Sequence, residues 1–200
     1  DISYYYGYNL DTGMKEWETD PRGFKTSYKY DDLNRVTRVT LPDDDQDDSN
    51  NPFRKYEFND AENYCDFFNE KGQQTRFNFD GLGRLTEVIK HTDGERYSAQ
   101  VSTGYHYDTL GRIDRVTDPM GRVAIYGYDG LNRVTQVTYP DNSFVTLEYD
   151  DVTNTVTITD EEGGKVTERS DWANRLVEAK QICRYPDTPE EIYTWTFAYD

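Results

Sequence analysis

The chain has 200 residues and a formal net charge of −17, from 39 acidic and 22 basic side chains, a balance that disfavours nucleic acid and anionic membrane surfaces, which need neutralising Lys and Arg. No stretch approaches the ~18 consecutive apolar residues of a membrane-spanning helix, and the opening DISYYYGYNL lacks the basic start and apolar run of a signal peptide. Leu, Ile, Val and Phe are scarce enough to resemble a disordered composition, yet 18 Tyr and 3 Trp recur at fixed places beside β-branched residues, which predicts a folded chain with an aromatic-rich core.

Along the chain, an aromatic residue followed by Asp or Asn recurs as Tyr8-Asn9, Tyr30-Asp31, Phe58-Asn59, Phe79-Asp80, Tyr107-Asp108, Tyr128-Asp129, Tyr149-Asp150 and Tyr199-Asp200. Ser170-Asp171 fills one further slot in degenerate form. The markers are 21 or 22 residues apart, lengthened to 28 or 29 three times. The extra residues lie in LPDDDQDDSNNP, HTDGERYSAQVSTG and RYPDTPEEI, all at the same phase of the unit. Insertions confined to one phase project from one rim of a repeat array.

Within a unit the hydrophobic period is two. In SFVTLEYD, Val145, Leu147 and Tyr149 alternate with Thr146 and Glu148; in NTVTITD, Val156 and Ile158 alternate with Thr155, Thr157 and Thr159. That pattern gives strands with one apolar face. Only PEEIYTWTF leaves room for a turn of helix. A unit of about 21 residues is therefore two strands and two turns, one hairpin per repeat, and the hairpins at Tyr8, Phe58, Tyr149 and Ser170 match in spacing more than in letters.

The turns carry the signature. Asp31, Asp80 and Asp129 can bond the backbone two residues on, while Gly81, Gly130 and, less comfortably, Asp32 are expected to take positive φ. Leu33, Leu82, Leu110 and Leu131 read as plugs beneath the turns. Arg35, Arg84, Arg112, Arg133 and Arg175 stand four positions after an Asp, in reach of a charge-assisted contact; stacking on the Tyr of a neighbouring repeat is the alternative. Recurrence in every unit favours a structural ladder over a ligand site.

The phrase Tyr-Asp-x-Leu-Gly/Asn-Arg, seen in YDDLNRVTRVT, FDGLGRLTEVI, YDTLGRIDRVT and YDGLNRVTQVT, resembles the YD-repeat or Rhs-repeat family of bacterial polymorphic toxins, insecticidal toxin complexes and teneurins. The resemblance runs over residues 1–200, a single repeat array cut from a longer chain. It implies an all-β fold, hairpins joined into one curved or spiralling antiparallel sheet that forms part of a hollow shell. It also implies a non-enzymatic role, enclosing a C-terminal toxin or effector cargo in a secreted or surface protein, bacterial sooner than animal. The alternative is a surface module that binds neutral glycans or protein. An acidic shell would suit a basic cargo such as a nuclease.

No catalytic, cofactor or metal site is assigned. His91 and His106 lack a triad pattern. Asp43, Asp45 and Asp47 have the spacing of a calcium loop's first ligands, but Asp48 stands where that loop needs Gly and Arg54 where it needs Glu. Cys65 and Cys183 read as packed thiols without a disulfide.

Overall fold

The structure, a computed structural model, describes residues 3–43, 50–91, 100–183 and 191–199. It is all-β, with seventeen strands and no helix among the described residues. The chain divides into two compact units, Asp1–Gly104 and Tyr105–Asp200.

In the first unit β1 (Tyr5–Tyr8), β2 (Lys15–Thr19), β3 (Lys25–Tyr30), β4 (Val36–Thr40), β5 (Phe53–Asn59), β6 (Tyr64–Phe68), β7 (Gln74–Phe79), β8 (Leu85–His91) and β9 (Gln100–Tyr107), whose last three residues belong to the second unit, follow one another. Each pairs antiparallel with the next. The second unit continues the pattern from β10 (Ile113–Thr117) through β11 (Val123–Tyr128), β12 (Val134–Thr138), β13 (Phe144–Asp150), β14 (Thr155–Thr159), β15 (Lys165–Ser170), β16 (Leu176–Cys183) and β17 (Glu191–Thr196). These strands also pair only with antiparallel chain neighbours. The predicted array of hairpins is present, including those at the degenerate markers Tyr8, Phe58, Tyr149 and Ser170. Within PEEIYTWTF, which left room for a turn of helix, Glu191–Thr196 form strand β17, because Ile192, Tyr193, Thr194 and Trp195 are strand formers.

Alternation sorts the side chains onto two faces. In the first unit Phe58, Cys65, Phe77 and Val88 form one cross-strand row, and Glu57, Asp66, Arg76 and Ile89 a row on the opposite face. In the second unit Leu147, Ile158 and Val166 line up on one face and Glu148, Thr157 and Thr167 on the other. The meander has one layer, and this corrects the expected aromatic core. Among the described residues only Cys65 and Asp66 are buried, at 7% and 6% exposure. Aromatic rings instead lie over their neighbours in the sheet, half-covered, as Tyr56 and Phe67 do with centroids 5.1 Å apart.

Five hairpins share a register shift at the marker, at Tyr8, Tyr30, Phe79, Tyr128 and Ser170. Tyr30 faces Val36 after Lys29 faces Arg38, so one extra residue, Thr37, is accommodated on β4. Such a bulge sharpens the local twist. The longer connections 41–52, 92–99 and 184–190 all join an even-numbered strand to the next odd-numbered one, as the phase of the insertions predicts.

Candidate functional site

The repeated Asp builds the turn around its own carboxylate. At Asp80 the backbone N–H donates to the Arg84 carbonyl (2.9 Å) and the Gly83 N–H donates back to the Asp80 carbonyl (3.0 Å). Oδ1 accepts the N–H groups of Leu82 and Arg84, both at 2.9 Å, while Oδ2 accepts Nε of Arg84 at 2.7 Å. The same five bonds recur at Asp31, Asp108, Asp129 and Asp171. This is the bonding of a tight turn closed by one residue in the left-handed region. That residue is Gly83, Gly111, Asn34, Asn132 or Asn174, a second correction: neither Gly81, Gly130 nor Asp32 takes positive φ. The alternation of Gly and Asn just before the Arg was the available signal, since these two residues tolerate that conformation best.

The carboxyls of Asp80, Asp108, Asp129 and Asp171 are held below their ordinary range, chiefly by the backbone N–H of the Arg four residues on and, against a desolvation penalty, by its guanidinium. The same device stands on the opposite rim at Asp118, where Oδ1 accepts the Met120 and Arg122 N–H groups and Oδ2 accepts Nε of Arg122. Sequence reading missed this turn as a copy of the first, although Asp118-Pro-Met-Gly-Arg122 repeats its spacing.

Four signature Arg also reach into the following hairpin. Arg112 lies over the Tyr128 ring (4.6 Å), Arg133 over Tyr149 (4.2 Å), Arg175 over Tyr199 (4.9 Å) and Arg35 over Phe58 (4.1 Å). The two contacts posed as alternatives are therefore made by one guanidinium. Its outer nitrogens go further: Arg112 Nη1 donates to the Asp129 carbonyl and Asn132 Oδ1, both at 3.1 Å, Arg133 Nη1 to Asp151 Oδ1 at 2.5 Å, and Arg35 to both oxygens of Asp60. The stacked tyrosines return the contact. The hydroxyls of Tyr128, Tyr149 and Tyr199 donate to the carbonyls of Ile113, Val134 and Leu176, in each case the residue after the stacking Arg. Tyr30 does the same to Lys15. Asp, Arg and Tyr thus form one clasp that fastens the hairpins begun at Tyr107, Tyr128 and Ser170 to the next strand of the second unit.

The Leu residues are not plugs. Leu33, Leu82, Leu110 and Leu131 are 67–80% exposed, because the second residue after the Asp sits at the turn's tip, beyond the single layer that could cover it.

A cleft of about 450 Å³ opens in the first unit between Tyr4, Tyr6 and Phe24, with Glu18, Asp20 and Arg22 on its walls. Glu18 accepts from Lys15 (2.8 Å) and the Tyr28 hydroxyl (2.6 Å), and Arg22 stacks on Phe24 while donating to Asp20. A flat aromatic wall with a few convergent polar groups is the chemistry of a small-ligand site.

The histidines are far apart in register. His91 ends β8 with a buried Nδ1 that has no hydrogen-bond partner; His106 in β9 lies 2.6 Å from Asp114. No group of three or more His, Cys, Asp or Glu residues arranged to hold a metal occurs among the described residues. Asp45, Asp47 and Asp48 of the calcium-like spacing lie outside them, and Arg54 pairs with Glu70 at 2.6 Å. Cys65 is a free, buried thiol, pushed up in pKa by that burial; the Cys183 side chain lies outside the described part. Among the described residues no helix is long and apolar enough to cross a membrane. Most described carboxylates stand in the turns and not on the strand faces.

Known proteins match this geometry. The RHS Repeat family model matches residues 11–46 and 107–143. No curated protein sequence matches the chain. A solved structure of TcdB2-TccC3-Cdc42 superposes with a TM-score of 0.68 at 13% identity, over 94% of this chain and 11% of that one. TcdB2-TccC3 without its hypervariable C-terminal region gives 0.65 at 11% identity, over 98% and 13%. The Photorhabdus luminescens Tc holotoxin pore gives 0.63 at 15% identity, over 84% and 9%. The chain thus spans about a tenth of these structures' length and shares their fold there. The RHS Repeat model thus matches two segments of this chain, and each carries the Asp–Arg turn, at Asp31–Arg35 in the first and at Asp108–Arg112 and Asp129–Arg133 in the second.

Proposed function

We propose that residues 1–200 are a single structural, non-enzymatic array from an RHS-type β-shell that encloses a toxin or effector for delivery. The observation that carries this reading is the clasp: Arg35, Arg112, Arg133 and Arg175 each fasten their own turn to the next hairpin, so strands are added one after another in a single layer. A layer that grows sideways and hides almost nothing inside itself is suited to be a wall. The similar structures contain TccC3 together with TcdB2, which supports a role in a secreted assembly, bacterial in origin. The cargo would be a C-terminal segment of the parent protein. Because most described carboxylates lie in the turns, net charge gives little reason to expect a basic cargo.

The test is limited proteolysis of the full-length gene product. A C-terminal domain that resists protease until the array is unfolded supports enclosure; one cleaved as fast as the free domain refutes it. A second reading, a surface module for neutral glycans or protein, is favoured by the Tyr4–Tyr6–Phe24 cleft. Silence on a neutral-glycan array, with unchanged cell binding by a Tyr6→Ala, Phe24→Ala variant, would remove it.

A further inference from the structure

On one face of the first unit, Lys29, Arg38 and Lys55 stand directly opposite one another across β3, β4 and β5. Lys25 shares that face two positions along from Ser27, which itself lies two before Lys29. Like charges opposed across strands destabilise a sheet, and this chain has 39 carboxylates with which to relieve them. None of those among the described residues is paired with Lys25, Lys29 or Arg38, and of the four cations only Lys55 makes an ion pair there, with Glu57. Aromatic rings hold the cations instead, Phe53 beneath Arg38 (3.6 Å) and Trp17 beneath Lys25 (5.6 Å). Arg38 Nε is buried with no hydrogen-bond acceptor.

The other repeats act as an internal control. Seven residues after the turn Asp, where Arg38 follows Asp31, the chain has Glu87, Gln136 and Glu178. There Asn78 faces and donates to Glu87, Gly127 faces Gln136, and Arg169 faces Glu178 with opposite charge. Arg115 is the remaining cation at this place among the described repeats, and it faces Ile125. The fold therefore accepts a neutral or acidic residue here, and does not require the Lys29–Arg38–Lys55 ladder.

We propose that this ladder is a binding site for a multivalent oxyanion of the phosphate class. A guanidinium stacked on a ring presents its N–H edge to an anion, and the flanking ammonium groups neutralise the remaining charge. The phosphate has two sources, a free anion or a lipid headgroup, and the experiment separates them.

Pyrophosphate is titrated calorimetrically into the wild-type chain, Arg38→Gln, Lys29→Gln and the control Arg115→Gln, with sodium chloride at matched ionic strength as reference. The ladder predicts binding to the wild type and to Arg115→Gln, weakened at least tenfold by Arg38→Gln and by Lys29→Gln. Arg38→Gln should also unfold at no lower urea concentration than the wild type, since Gln136 fills the equivalent place. Flotation with phosphatidylcholine vesicles, with and without phosphatidic acid, assigns the source: retention only on the acidic vesicles marks a headgroup, and pyrophosphate binding without retention marks a soluble ligand. Absence of binding to both probes, or equal binding by wild type and both ladder variants, overturns the proposal.

Discussion

Removing the Tyr128 hydroxyl isolates one strand of the clasp. Tyr128→Phe deletes the bond to the Ile113 carbonyl (2.5 Å) and keeps the ring that lies 4.6 Å from the Arg112 guanidinium. One such bond contributes about 1 kcal/mol net. Tyr128→Ala removes the ring as well; for a half-buried aromatic, about half the usual 3–5 kcal/mol of a buried one is expected, or about 2 kcal/mol. In a chain of this size 1 kcal/mol corresponds to about 2–4 °C in Tm. Urea denaturation followed by circular dichroism, with Tyr5→Phe as control, reads these differences. Tyr5 is 63% exposed, and its variant should fall within ~0.5 kcal/mol of the wild type. If Tyr128→Phe is as stable as the wild type, the hydroxyl does not fasten the hairpins. If it costs as much as Tyr128→Ala, the ring contributes nothing, and the stacking half of the argument fails.

The turn carboxylates make stability depend on acid. Because Asp80, Asp108, Asp129 and Asp171 have folded pKa values below the ordinary 3.8, their contribution is complete above that value and lost as pH falls through the lower folded values. Urea midpoints should hold steady from pH 7 to about pH 5 and drop below about pH 4; a midpoint that rises on acidification would contradict the sign. Gly83→Ala, at φ 76°, should cost about 1 kcal/mol, whereas Gly81→Ala, with nothing within 4 Å of the new methyl, should be nearly neutral; reversal of that order would return the positive φ to the residue after the Asp. Leu110→Ser and Leu131→Ser should leave the urea midpoint of this chain unchanged, given exposures of 71% and 67%, and a loss above ~1 kcal/mol would show that the side chains are covered.

How far the sequence could be read depended on whether a feature was local. Period-two alternation in residues 143–150 and the marker spacing were enough to find every hairpin, because strand and turn formation are written in neighbouring residues. The Asp bond to the residue two positions on was legible for the same reason. The left-handed residue was assigned to Gly81 and Gly130 because Gly after Asp is a familiar turn signal, but the hydrogen bonds at Asp80 put it at Gly83. Burial was misjudged where it depended on a second layer. An apolar Leu at a turn tip and a Tyr in a strand look like core residues in one dimension, and a single sheet provides no opposing surface to cover them. Register was also beyond reach: Lys29, Arg38 and Lys55 are spread over 27 positions of sequence, and only strand pairing brings the three charges into one row. The sequence by itself determined the repeat, the hairpins and the carboxylate-centred turns, since each is settled within about 21 residues. The tertiary structure decided which hairpin each Arg and Tyr would fasten, and which charges would face one another, because those contacts cross strands whose register no local pattern states.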